Sequence, residues 1–115
     1  MKFTMLRFAL LFVLLAAPLS TEERRLTSEE INILLPSIIA VGDKTRQTFS
    51  ARGATTYTDR GRDSLGSWEA RDNKYCSQWP PASGWACFDV LTDGDQLIWI
   101  GDSGHRTINI MKPKG

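Results

Sequence analysis

Histidine occurs once in these 115 residues, at His105, and cysteine twice, at Cys76 and Cys87. A structural zinc site takes four Cys or His ligands in short-spaced pairs, and neither C-x-x-C nor paired histidines are present. No metal or cofactor is expected. The chain also lacks a G-x-S-x-G elbow, an H-E-x-x-H helix and a P-loop. It has no excess of one charge, with 14 Lys and Arg against 13 Asp and Glu. Nucleic acid and anionic membrane surfaces select a clearly basic face, so neither is an expected partner. No apolar run reaches the length of about 20 residues that a membrane-spanning helix needs. Internal repeats and low-complexity tracts are missing too, and the length allows one domain.

The longest apolar run is Phe8 to Ala17, preceded by Lys2 and Arg7 and no acid. Pro18, Leu19 and Ser20 then lead into the charged Thr21–Arg25. A basic start, a short apolar stretch and small residues are the parts of a secretory signal peptide. The expected division is a signal peptide over residues 1–20 and one domain over residues 21–115. Cleavage after Ala17 and after Ser20 both fit. No cysteine follows the run, so no lipid anchor is expected. Without residues 1–20 the basic residues fall to 12 against 13 acidic ones, a net charge of −1. The sequence thus predicts a secreted or periplasmic protein with no stable membrane insertion after cleavage. In that oxidising setting Cys76 and Cys87 are expected to form a disulfide. A loop this short contributes about 3 kcal/mol in the chain-entropy treatment.

Thr21–Arg25 is expected to be a mobile leader. The strongest local signal follows, Leu26-Thr27-Ser28-Glu29-Glu30-Ile31. Thr27 and Glu30 have the spacing of a capping box, and Leu26 and Ile31 that of a hydrophobic staple. Ile31, Leu34 and Leu35 share a helical face, and Pro36 stops the run. One helix is predicted over Ser28–Leu35, either as a lid or plug over one end of a barrel or as a partner-binding element. Beyond it the pattern turns to period two. Strands are predicted in Ser37–Val41, Gln47–Ser50, Ala54–Thr58, Gly66–Arg71, Lys74–Gln78, Trp85–Val90, Gln96–Ile100 and Thr107–Ile110. Asp59–Asp63 reads as a charged loop. Gly- and Asp-bearing turns separate the rest. The predicted fold class is mainly β, a small antiparallel meander or closed β-barrel with one short N-terminal α-helix. Pro80-Pro81 is expected to stiffen the Trp79–Gly84 loop as an extended segment.

The order of short motifs resembles a set of small exported proteobacterial proteins of unknown function. The shared features are the L-T-x-x-E-I helix (Leu26, Thr27, Glu30, Ile31), Gly53, Tyr57, the G-x-W at Gly66-Ser67-Trp68, Tyr75-Cys76, Cys87-Phe88, Asp93-Gly94-Asp95 and Trp99. The G-x-W also resembles that of the calycins, lipocalins and streptavidin among them. That resemblance implies a barrel whose floor is closed by Trp68. In lipocalins the motif lies near the first strand, whereas here it is mid-chain. That departure and the short chain predict a filled barrel, without a lipocalin-type cavity. In size and setting the chain is also similar to small disulfide-bonded barrels that inhibit lysozyme, though it carries no inhibitor-loop motif.

Asp102-Ser103-Gly104-His105 has the residue types of nucleophilic catalysis, but consecutive turn residues point apart, so it reads as a polar turn. Glu69, Asp72, Asp89, Asp93 and Asp95 read as solvated strand and turn carboxylates. Trp68 and Trp99 are predicted core. Trp79 and Trp85 flank Pro80 and Pro81 and either cover the disulfide or form an exposed platform for an envelope protein or glycan. Arg60 and Arg62, with Arg52 and Arg71, form a second candidate surface, for an anionic polymer. The expected function is an exported, non-enzymatic binding or inhibitory module. The alternative is a structural or stress-related envelope protein without a dedicated ligand.

Overall fold

A computed structural model describes residues 22–115; the expected signal peptide lies outside the described residues. A two-residue strand, β1 (Arg24–Arg25), precedes helix α1 (Ser28–Leu34) and a single 3-10 turn (Leu35–Ser37). Eight strands follow: β2 (Ile38–Val41), β3 (Thr45–Phe49), β4 (Ala54–Asp59), β5 (Arg62–Arg71), β6 (Lys74–Gln78), β7 (Ala86–Asp93), β8 (Gln96–Ile100) and β9 (Arg106–Pro113). Each of β2 to β8 pairs antiparallel with the strand that follows it. β9 then returns to β2, from Ile38↔Pro113 to Val41↔Ile110. The meander is thus a closed eight-stranded barrel, the architecture that leaves no long free edge.

Period two sorts the side chains between the inside and the outer wall. Thr45, Gln47 and Phe49 of β3 point inward, as do Tyr75 and Ser77 of β6 and Leu97 and Trp99 of β8. One end of the barrel is filled. Leu26, Ile31 and Leu35 from the N-terminal segment enter it and meet Phe49, Trp68, Val90 and Leu97. Fully burying each such aliphatic side chain contributes about 1.5–3 kcal/mol. The helix is held there by local chemistry. The Glu30 N–H donates to Thr27 Oγ1 at 3.2 Å and the Thr27 N–H to Glu30 Oε1 at 2.9 Å. The Ser28 N–H donates to Asn73 Oδ1 at 2.9 Å, and the Asn73 N–H returns a bond to Ser28 Oγ at 2.7 Å. The second pair clamps the helix start to the β5–β6 turn. Of the lid or plug expected from the sequence, the helix is the plug.

Several expectations change. The charged leader is not free, because Arg24 and Arg25 pair with Thr92 and Leu91 of β7. Asp59–Asp63 is not a loop. Only Arg60 and Gly61 turn, with φ of 51° and 83°. This is the both-positive pattern of a tight two-residue hairpin. Asp59, Arg62 and Asp63 remain in the strands, so β5 runs ten residues. Its twin at the other end, Asp72-Asn73, has φ of 53° and 59° as its strand-flanked position requires. Helix α1 ends at Leu34, and Pro36 sits in the 3-10 turn beyond it. Pro80-Pro81 is no extended spacer, since the chain turns there.

Cys76 and Cys87 lie directly opposite on β6 and β7, Cα atoms 4.0 Å apart, and are disulfide-bonded. Among the described residues, no helix is long and apolar enough to cross a membrane.

Candidate functional site

The other end of the barrel is open. It contains a cavity of about 420 Å3, within the range of roughly 300–1,000 Å3 common for small-molecule sites. The filled barrel expected from the short chain is therefore only half right. The plug fills one end. At the other, space remains between the inward residues.

An aromatic floor separates the two halves. The Phe49 ring lies 5.8 Å from both Trp68 and Tyr75, edge to face in each case. Tyr75 in turn stands 4.9 Å from Trp99. Such pairs stabilise by about 0.5–1.5 kcal/mol beyond their buried area. The Trp68 indole N–H donates to the Ser50 carbonyl at 3.0 Å, which satisfies its polar edge at the plugged end. Trp68 and Trp99 are buried, as the sequence predicted.

Above the floor the lining is mixed. Tyr57, Trp79, Phe88 and Trp99 supply rings, while Thr45, Gln47, Ser77, Thr107 and Asn109 supply hydroxyls and amides. Among the described residues, no Asp, Glu, Lys, Arg or His lines it. The polar groups are partly spoken for. Gln47 Nε2 donates to Thr55 Oγ1 at 2.9 Å and to Tyr75 Oη at 3.1 Å. Trp79 Nε1 donates to Ser77 Oγ at 3.1 Å, and Trp99 Nε1 to Asn109 Oδ1 at 2.7 Å. Burial pushes the Tyr75 phenol above its ordinary pKa, and hydrogen bonds from its Ser77, Gln47 and Thr55 surroundings oppose this. The phenol is therefore neutral at physiological pH. This lining can stack and hydrogen-bond. It holds no acid–base pair.

The candidate residues from the sequence separate. Trp79 turns inward and forms cavity wall, with the Tyr57 ring edge-on at 6.3 Å. Gly66 makes this possible, since a Cβ there would stand 2.7 Å from the Trp79 ring and from the Gln78 carbonyl. Trp85 goes the other way, out along the barrel wall. The Arg71 guanidinium sits 5.6 Å from the Trp85 ring centroid and 3.9 Å from Cys87 Sγ. Arg71 thus links Trp85 to the disulfide, and Trp85 is not among the residues that line the cavity with Trp79. Pro80 and Pro81 are exposed in the loop at the mouth. Arg60 and Arg62 also stand at the mouth, Arg60 paired with Asp59 at 2.7 Å. Arg52 lies in the β3–β4 turn at the plugged end and Arg71 on the outer wall, so the four arginines form no common surface.

Asp102–His105 is the β8–β9 turn, closed by the Gly104 N–H on the Gly101 carbonyl at 2.9 Å. Asp89 is on the outer wall, bridged by Arg25 and Lys74 at 2.7 Å each. The hydrogen bond from Lys74, then the charge and hydrogen bond of Arg25, hold its carboxyl below the usual range. Among the described residues, no group of three or more His, Cys, Asp or Glu is placed to hold a metal.

The sequence reading missed Gln47, Tyr75, Ser77, Phe88, Thr107 and Asn109. Their signal was available in the alternation, because polar residues at 45 and 47, 75 and 77, and 107 and 109 fall on the inward phase of their strands. No family model matches this chain, and neither does a curated protein or a solved structure.

Proposed function

We propose that this is an exported, non-enzymatic binding module that holds a small ligand in the open end of its barrel. The observation that carries the reading is the cavity of about 420 Å3 with ring and amide lining above a closed aromatic floor. Its rigid walls are strands and its entrance is ringed by loops, the usual division between scaffold and site. The export half of the reading rests on the signal-type N-terminus and the cross-linked cysteines. The resemblance to small exported proteobacterial proteins and to calycin barrels belongs to the same proposal. An inhibitory role would use the same mouth, with Trp79 beneath the loop rather than on it.

The test is native mass spectrometry of the folded protein with an envelope extract and with a mixture of aromatic fragments. Adducts are expected on the wild type. They should fall with Trp79→Ala and with Ala86→Trp, which fills the mouth, and persist with Trp85→Ala. Adducts indifferent to Trp79 and Ala86 would remove the cavity from the reading. Complete absence of adducts would favour the structural envelope role.

A further inference from the structure

The cavity is two-sided, and two of its amide groups have unused hydrogen-bonding capacity. Thr45 and Gln47 lie on β3 and Thr107 and Asn109 on β9, the two neighbours of β2. In a ring of eight strands β6 stands diametrically opposite β2. Trp79 follows β6, and Phe88 lies on β7. The two amides therefore face the side that carries Trp79 and Phe88, with Ser77 also on that side and Trp99 beside Asn109.

The orientation of both amides is fixed by their partners. An indole N–H only donates, so Trp99 holds Asn109 by Oδ1 and leaves Asn109 Nδ2 directed elsewhere. The Thr55 hydroxyl donates its one proton to the Thr48 carbonyl at 2.8 Å. It must then accept from Gln47, which puts Nε2 on Thr55 and Tyr75 and leaves Gln47 Oε1 unused. Among the described residues, neither Asn109 Nδ2 nor Gln47 Oε1 has a hydrogen-bond partner. One offers N–H and the other accepts it. The uncharged lining disfavours an ionised guest, because a buried charge without a partner is costly.

We infer that the cavity takes a neutral, flat, ring-bearing molecule whose edge carries a carbonyl beside an N–H, as in a lactam or a heterocyclic base. Its ring lies against Trp79 and Phe88, its carbonyl accepts from Asn109 and its N–H donates to Gln47. This inference rests on the proposed binding function and names the chemistry of that same site.

Titration calorimetry on the disulfide-intact protein tests it with three matched probes: quinolin-2-one, N-methylquinolin-2-one and quinoline-2-carboxylate. Quinolin-2-one is expected to bind about three- to tenfold tighter than its N-methyl derivative, which lacks the donor. It should bind at least about tenfold tighter than the carboxylate, which brings a charge into the uncharged site. Gln47→Leu should erase the difference between the first two probes, and Asn109→Leu should weaken both about three- to tenfold. Equal binding of the N-methyl probe, or tighter binding of the carboxylate, overturns the inference. These comparisons are made on the wild type, so they decide the matter even if a variant fails to fold. If no probe binds while fragment adducts still depend on Trp79, the ligand class is wrong and the binding reading stands. If the adducts are indifferent to Trp79 as well, both fall.

Discussion

The protonation state of Asp89 is tied to the fold, its carboxyl held below the usual range by Lys74 and Arg25. Its side chain is 19% exposed and touches cations from two separate segments, Arg25 and Lys74. Because its folded pKa lies below the unfolded value, the stability it contributes is present above about pH 4 and is lost as pH falls further. Glu30 has the same sign, from its bond to the Thr27 N–H and then from Arg24. The expected result is a melting temperature that declines as pH drops from about 5 to below 3. Asp89→Asn should lower stability by about 1 kcal/mol at pH 7, since both partners are themselves well exposed. Its pH curve should be shallower and approach the wild-type curve at low pH. Thermal melts across that range, followed by circular dichroism, check this. Parallel curves would show that the bridges do not couple to folding.

At the scale of elements, the helix was the most legible part of the sequence, because its determinants are local. Thr27 and Glu30 cap it, and Leu26 and Ile31 bracket the cap within six residues. What was not legible is where the apolar face goes. That depends on Phe49, Trp68, Val90 and Leu97, which arrive from four different strands. The β4–β5 hairpin failed for a different reason. A run of five charged or glycine residues looks like a solvated loop, yet on an outer wall charge is compatible with strand, and only Arg60-Gly61 needs positive φ. The cavity was missed because chain length was read as a limit on space. Space in a barrel is set instead by which residues take the inward phase. Ile31→Ala is expected to cost about 2–5 kcal/mol in urea unfolding, since Ile31 is fully buried in the plug. Ile33→Ala, at 72% exposure on the same helix, should fall within about 0.5 kcal/mol of wild type. Equal costs would mean that the helix does not seat as described.

For the whole molecule, one of the two shortest seams of the barrel, equalled only by β2–β3, is that between β6 and β7. Their register covers only Tyr75↔Phe88, Cys76↔Cys87 and Ser77↔Ala86, whereas β4 and β5 match over six pairs. The disulfide lies in the middle of this short seam, beside the wall that carries Phe88 and leads into Trp79. Replacing both cysteines with alanine is expected to lower stability by about 3 kcal/mol. Amide exchange in Ala86–Phe88 should accelerate more than in Leu97–Trp99. Uniform acceleration across the barrel would assign the cross-link a purely global role.

The same seam gives the first described residues a task beyond leading into the helix. β7 spends one edge on two partners, β6 along Ala86–Phe88 and then β1 at Leu91 and Thr92. The Leu26 N–H continues the line by donating to the Val90 carbonyl at 2.8 Å. The barrel is thus a garment whose last fastening is sewn from its own collar. A protease that trims the chain past Arg25 would leave the lower half of β7 with open backbone groups, ready to take a strand from a neighbouring molecule. Where the N-terminus is cut therefore sets whether that half of β7 keeps a backbone partner.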